Sequence, residues 1–472
     1  MRGDGCMNYY QQFKNYTMNQ VADAMLGMLG NSSDENLIRF TYLAERLAKK
    51  DYYIRTIRWI RQLFLDGHPS LAVAKKILRE THPNVRKRLV NAFIINQLLL
   101  GTNKRKAFLD EGGGFYPPGL YVISPSMRCN LSCFGCYAGS YSRKGELTYD
   151  EVDGVIEQMK GLGVHFCVVS GGEPFFRKDI LDIFERHSDV AFLVFTHGGL
   201  LDHRLVGRIA ELGNVLPCIS IEGFEEETDA RRGKGHYKKV MLAMDMLKDA
   251  GVLFGFSCTA TRQNHEIITS DGYMDMLIDK GCTVGWFFSY VPVGREPNIA
   301  LMPTPGQRDR LRETVWRFRN TKPILLADFW NDGHIVGGCL AGGRKYFHVN
   351  ANGDIEPCVF CHFAVDNIRN KTIKEALMSP LFTSIRAAHK GNKNLLTPCI
   401  LIDKPGIVRE AVLSSGARPT HPGAERLITD LADDLDRYSE EYCQLADGVW
   451  ERMQAEKKTC PSQHACQATQ SA

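Results

Sequence analysis

No run of apolar residues in this protein reaches the roughly 18 needed to span a bilayer, no segment is of low complexity, and no internal repeat recurs. The opening stretch, MRGDGCMNYYQQFKNY, lacks the apolar core of a secretory signal. Net charge is only +4 over 472 residues, which implies neither nucleic-acid binding nor an acidic partner. The fifteen cysteines are an odd number. A disulfide framework is therefore a poor reading, and a reducing, cytoplasmic setting is expected, in which clustered cysteines point to metal or catalysis. The length suffices for two or three domains, each with its own core.

Three of those cysteines, Cys129, Cys133 and Cys136, fall within eight residues in the run Met127-Arg-Cys-Asn-Leu-Ser-Cys-Phe-Gly-Cys-Tyr137. An electron-carrying iron-sulfur cube normally ties each iron to a thiolate supplied at short spacings. Here the spacing is C-x3-C-x2-C, and no fourth cysteine follows until Cys167. An iron left without a protein ligand can bind a small molecule, which turns a wire into a reaction centre. The alternative is a zinc site completed by His165 or His197, which the spacing disfavours because structural zinc usually pairs C-x2-4-C with a second pair further on.

The middle of the sequence alternates strand and helix patterns, the signature of parallel β-α units. Strands are predicted at Leu120 to Ser124, Phe166 to Ser170, Ala191 to Thr196, Leu216 to Ile221, Leu253 to Thr259 and Val284 to Tyr290. Helices fit between them, at His236 to Ala250 and Tyr273 to Lys280 among others, and Thr148-Tyr-Asp-Glu151 reads as the capping box of a helix ending near Leu162. The fold class is α/β: a partial (β/α)6 TIM-like barrel with a helical N-terminal region and a small α+β C-terminal domain. Chemistry is expected at the C-terminal ends of the strands, where the cysteine loop lies.

The cysteine spacing resembles that of the radical S-adenosylmethionine (SAM) superfamily. The resemblance implies a 4Fe-4S cluster on Cys129, Cys133 and Cys136 whose open iron chelates SAM, and a low-potential electron donor such as flavodoxin or ferredoxin. Other strand ends carry matching motifs. Ser170-Gly-Gly-Glu-Pro174 is similar to the family's GGEP, which implies that Gly171, Gly172, Glu173 and Pro174 form the strap around the SAM amino group; glycine lets the backbone approach a ligand closely. Thr196-His-Gly-Gly199 resembles a TNG-like turn. Ile219-Ser-Ile-Glu-Gly223 looks like S-x-D/E-G, so Ser220 and Glu222 would face the ribose, with a helix N-terminal acid as the alternative for Glu222. Arg231-Arg-Gly-Lys-Gly235 resembles R-G-x-G, with Arg232 reaching the SAM carboxylate. Ser257, Asn264 and Tyr290-Val-Pro-Val-Gly294 are similar to positions lining the SAM cavity. Many members carry an aromatic residue just before the third cysteine; here Gly135 stands there, leaving Phe134 and Tyr137 as candidates to meet the adenine.

A second cysteine set follows: Cys339, Cys358, Cys361 and Cys399. Between its members, His348 to Cys358 reads as a hairpin turning at Asn-Gly, and Asp366 to Leu377 as a capped helix start. The pattern resembles the SPASM and twitch extensions of the superfamily, which carry auxiliary 4Fe-4S clusters. Too few cysteines are present for two clusters, so one is expected on Cys339, Cys358 and Cys399, with Cys361 as the fourth ligand or Asp403 or an external ligand replacing it. A zinc knuckle at Cys358 and Cys361 is the alternative. Cys167, Cys218, Cys258 and Cys282 read as small buried residues, and Cys460 and Cys466 are assigned no cluster in a polar, disordered end.

The expected organisation is a helical region over 1–112, the core barrel over 118–300, the cluster domain over 301–405 and a helical tail over 406–472. The stretch Val85 to Leu100, basic at its start and apolar thereafter, reads as a helix packed against the barrel, with docking to a partner or peripheral contact with a membrane as the alternative. The resemblance implies hydrogen-atom abstraction from a C-H bond of a peptide or protein, as in many SPASM relatives; a small metabolite, sugar or lipid is the runner-up, and an iron-sulfur electron carrier is the alternative of another class.

Overall fold

A computed structural model describes residues 33–459 apart from Lys49; Cys460 and Cys466 lie outside the described residues. The fold opens with amphipathic helices α1 (Asp34–Leu47), α2 (Asp51–Leu65) and α3 (Ser70–Glu80). Then α4 (Pro83–Leu89) runs into a wide, π-wound turn sequence over Val90–Gly101 and on into α5 (Thr102–Asp110). This continuous helical rod packs on the barrel, with Phe93 edge-on to Phe166 at 5.2 Å. Gln97 bridges two segments: its carbonyl accepts from the His165 amide at 2.6 Å and its amide donates to the Gly119 carbonyl.

The barrel strands follow: β1 (Tyr121–Ile123), β2 (Phe166–Val169), β3 (Ala191–Thr196), β4 (Val215–Ser220), β5 (Gly255–Ala260) and β6 (Val284–Ser289). All pair in parallel. The sheet continues past residue 300. Helix α6 (Pro305–Thr321) leads to β7 (Leu325–Asp328), parallel to β6, and β8 (His348–Val349) adds in parallel beside β1 with β9 (Ile355–Glu356) as its hairpin partner. The nine-stranded order is β7-β6-β5-β4-β3-β2-β1-β8-β9, so the barrel is open between β7 and β9. The hairpin turns at Asn-Gly as its sequence implies, with Gly353 at φ +84°, but its first strand joins the main sheet rather than standing apart.

Local signals account for most boundaries. The Thr148/Glu151 box is made, with the Glu151 amide donating to Thr148 Oγ1 at 3.2 Å and the Thr148 amide to Glu151 Oε2 at 2.8 Å. Thr304 and Gln307 repeat the device at the start of α6, helped by Pro305 in its first turn. Beyond the hairpin come α7 (Pro405–Ser415) and the long α8 (Ala432–Thr459). Fully buried Arg308 fastens this region to the barrel: it forms an ion pair with Asp403, donates from Nε to Asn331 at 3.1 Å and sits 3.7 Å over the Tyr442 ring.

Candidate active site

The segment after β1 carries the three cysteines over the C-terminal mouth of the barrel, held from three directions. The strap Gly171-Gly172-Glu173 runs alongside its lead-in: the Gly172 amide donates to the Ser126 carbonyl at 3.0 Å and the Glu173 amide to the Arg128 carbonyl at 2.8 Å. A Cβ on Gly171 would stand 2.5 Å from the Ser126 oxygen and one on Gly172 2.2 Å from the Arg128 oxygen. These glycines are therefore required by the approach of the two backbone segments to each other. His197, at the end of β3, accepts the Gly199 amide at Nδ1 and so donates from Nε2 to Asn130 Oδ1 at 2.8 Å; burial keeps it neutral, its pKa down at about 3. After β6, the Arg295 amide donates to the Cys136 carbonyl at 3.0 Å and its guanidinium to the Cys133 carbonyl at 3.3 Å.

Gly135 has a positive φ, +60°, and a Cβ there would lie 2.6 Å from the Tyr290 ring. The aromatic surface that the cysteine loop gives up is supplied by Tyr290 from the end of β6. Tyr137 lies on the other side, its hydroxyl 2.5 Å from Ser170 Oγ. Tyr290 and Tyr137 both line the chamber below the cysteines, whereas Phe134 does not.

Of the residues singled out in the sequence, Cys129, Cys133, Cys136, Gly171, Gly172 and Tyr137 meet at one end of this chamber, with Ser220, Ser257 and Arg232. Ser220 and Ser257 are register partners on β4 and β5, their hydroxyls 3.2 Å apart. Glu173, Pro174 and Glu222 do not line it. Glu173 turns inward, accepting from Thr196 Oγ1 at 2.8 Å and from the His197 amide at 2.9 Å, and burial raises its pKa to about 7. Glu222 is fully buried and tied to Arg231 at 2.7 Å, to Arg232 Nε at 3.1 Å and to the Thr259 amide at 3.0 Å. Burial opposes its charge, but the two guanidinium groups prevail and hold it below the usual carboxylate range. Asn264 sits behind it, donating to the Glu222 carbonyl at 2.9 Å. Sequence reading missed Arg295 and Asn130; their only signal was adjacency to motifs.

The donor chemistry fits an iron-sulfur cluster. The Leu131 amide aims at Cys129 Sγ at 3.4 Å. Burial pushes the Cys129 thiol up to about 11, while Arg231 and Arg295 pull against the burial that raises Cys136. A cationic, cofactor-sized centre would relieve that burial cost. Among the described residues no three His, Cys, Asp or Glu side chains converge on one ion; in a cubane each thiolate binds its own iron instead.

The second cysteine set forms a smaller, drier site. Cys339, Cys358 and Cys399 line one cavity walled by Trp330, Tyr346 and Phe360. Amides aim at two of the sulfurs, Phe360 at Cys358 and Leu401 at Cys399, both at 3.4 Å, and the Tyr346 hydroxyl is 2.8 Å from Cys358 Sγ. Burial raises Cys339 and Cys358 to about 12. Cys361 is fully buried, its amide donating to the Cys358 carbonyl at 3.0 Å, but it does not line that cavity. Asp403 is already engaged by Arg308 and the Cys399 amide, so in this arrangement it is no free ligand. Cys167, Cys218, Cys258 and Cys282 are buried.

Residues 123–266 match the model of the radical SAM superfamily, and residues 339–400 match the SPASM iron-sulfur cluster-binding domain. The AdoMet-dependent heme synthase of Methanosarcina barkeri is 26% identical over 55% of this chain and 81% of its own. The mycofactocin maturase MftC of Mycolicibacterium smegmatis is 28% identical over 49% of this chain and 62% of its own. Among solved structures, Streptococcus suis SuiB bound to S-adenosylmethionine superposes with a TM-score of 0.53 at 18% identity, covering 70% of this chain and 87% of that one, a likeness of fold.

Proposed function

Because the chain belongs to the radical SAM superfamily and has a SPASM domain, it is an enzyme that uses a 4Fe-4S cluster and S-adenosylmethionine, and we propose that it abstracts a hydrogen atom from a C-H bond of a substrate held inside the barrel. When bound, the cluster and S-adenosylmethionine supply a 5'-deoxyadenosyl radical after one-electron reduction. The observation that carries the reading is the convergence of the cysteine loop, the Gly171-Gly172 strap and the Ser220/Ser257 pair on one chamber.

In this reading Cys129, Cys133 and Cys136 hold the cluster. Gly171 and Gly172, with Ser220, Ser257, Tyr137, Tyr290 and Arg232, border the cofactor, and Glu173 and Glu222 act from behind by fixing the β3 turn and the two arginines. Cys339, Cys358 and Cys399, with Cys361 nearest in reserve, would hold one auxiliary cluster, which would supply a one-electron acceptor beside the chamber. A flavodoxin or ferredoxin in the cytoplasm is the proposed reductant. No helix among the described residues is long and apolar enough to cross a membrane.

Two substrate classes compete. A peptide is supported by SuiB, which has been solved with its precursor peptide SuiA. An apolar small molecule is favoured by the chamber itself, about 1140 Å³, whose wall below the cysteines is made of Val168, Leu193, Phe195, Trp286 and Phe288.

The test is anaerobic reconstitution with iron and sulfide, then dithionite and S-adenosylmethionine. Expected are 5'-deoxyadenosine and close to eight irons per protein molecule, roughly the content of two cubanes. Cys136→Ala should abolish 5'-deoxyadenosine while leaving the auxiliary irons; surviving cleavage would refute the assignment of the loop.

A further inference from the structure

The chamber does not end where a cofactor would. It follows the inward-facing residues of alternate strand positions down the barrel axis and reaches the N-terminal ends of the strands, where Tyr53, Arg105, Tyr116, Arg344 and Lys345 line it. A strand of six residues rises about 20 Å, so the far mouth lies about that far from the cysteine end. Along the way the wall changes character, with serines and Thr259 under the cysteines and apolar side chains over the middle.

The far mouth is cationic. Arg105 is 5% exposed. It donates to the Gly163 carbonyl at 2.7 Å and to Thr102 Oγ1 at 3.0 Å, and its Nε has no partner. Arg344 donates to the carbonyls of Val336, Gly338 and Cys339. Among the described residues neither arginine forms an ion pair with a carboxylate, and the only acid lining the chamber, Asp332, is held by Arg319 at 2.8 Å. Lys345 lies within electrostatic reach of both arginines; burial first, and then their charges, lower its pKa. Cations removed from water are costly unless paired with an anion.

The rim of this mouth and the helices around it are also unusual. Thirteen lysines and arginines stand against three acids between residues 50 and 106, although the whole protein is nearly balanced; Arg105 of the mouth is one of them, and Arg58, Arg61, Lys75 and Lys106 pair with Glu45, Asp34 and Asp110 from outside that stretch. Tyr52, Trp59, Leu98 and Tyr116 on the same helices and the adjoining loop are 40–49% exposed. Basic helices with exposed aromatic and aliphatic side chains suit an anionic lipid surface.

We infer that the substrate is an amphiphile, a hydrocarbon tail lying along the barrel axis with its carboxylate or phosphate head at Arg105, Arg344 and Lys345 and one of the tail's C-H bonds below the cysteine loop. The assignment rests on the hydrogen-abstraction reading for its chemistry but not for its binding. The C-H bond attacked is set by the distance from head to cysteine end, about 20 Å or roughly 15 carbons of an extended tail, and not by a functional group near that bond.

Binding is measured on the reconstituted protein with palmitate and with hexadecanol, and with vesicles of phosphatidylglycerol or of phosphatidylcholine; 5'-deoxyadenosine is followed in parallel. At least tenfold tighter binding of an anionic amphiphile over its neutral counterpart is expected, with the preference lost in Arg105→Gln and in Lys345→Gln, the second guarding against misfolding of the first. Preference for palmitate assigns a soluble acyl compound, and preference for phosphatidylglycerol a membrane lipid. Equal affinity for charged and neutral forms, binding of neither, or retention of the preference in both folded variants overturns the inference. Selective binding without any 5'-deoxyadenosine would leave it standing and sink the hydrogen-abstraction reading instead.

Discussion

Both mouths of the barrel chamber are rimmed by arginine, and they solve the cost of burial in opposite ways. At the cysteine end Arg231 and Arg232 share the carboxylate of Glu222, which is 1% exposed, so that one of their two charges is offset within the protein. At the other end Arg105 and Arg344 spend their donors on carbonyls and a hydroxyl. A shared carboxylate fixes the geometry of two arginines; arginines with no carboxylate at all leave a larger positive potential that an anionic ligand can neutralise. The upper arginines are held still by a carboxylate of the protein, and the lower ones are left to meet an anion from outside.

The contrast between the two mouths depends most on Glu222. Replacing it with glutamine leaves two arginines, 10% and 12% exposed, without a counter-charge, and removal of one partner of a buried pair typically costs about 3–5 kcal/mol. Urea unfolding of Glu222→Gln should show a loss of that order. A loss below about 1 kcal/mol would mean that the upper arginines do not depend on Glu222, and the contrast between the mouths would fail.

The next effect is acid sensitivity near the lower mouth. Burial, then the charges of Arg344 and Lys404, lowers the pKa of His389 to about 4. The unfolded protein takes up a proton on this histidine below about pH 6.5 while the folded protein refuses it until about pH 4. Its neutral form therefore contributes full stability above about pH 6.5, and that contribution drains away as pH falls toward about 4, by at most about 3 kcal/mol. Between about pH 7.5 and about pH 5 the urea midpoint of the native protein should fall more than that of His389→Leu. Parallel profiles would remove the histidine from the account.

The smallest effect is expected at the surface. Trp59→Ser removes one exposed ring and should weaken binding to phosphatidylglycerol vesicles a few-fold, without altering affinity for monomeric palmitate. An equal loss for both ligands would place Trp59 in the chamber's own function and not in surface contact.

Much of the upper mouth was legible in the sequence. The cysteine spacing, the Gly-Gly strap and the Thr148 capping box are local patterns, and a local pattern reports on segments a few residues long. The six barrel strands were readable for the same reason, since buried parallel strands are short apolar runs set between helices. β7 escaped because Leu-Leu-Ala-Asp has neither length nor alternation, and the parallel pairing of β8 with β1 because a two-residue strand has no signature of its own. Glu173 and Glu222 were expected beside the cofactor because their motifs border it. Only the fold shows that both carboxylates turn inward, one to the β3 turn and the other to arginines.

By itself the sequence determined that Cys129, Cys133 and Cys136 lie together, which segments alternate as strand and helix, and where the helices are capped, because those depend on near neighbours in the sequence. The tertiary structure alone decided that Tyr290 fills the space over Gly135, that Arg295 closes the cysteine loop, and that Arg105 and Lys345, from widely separated parts of the sequence, border one mouth. These are contacts between distant segments, set by how the barrel closes its space, and no periodicity in the sequence encodes them.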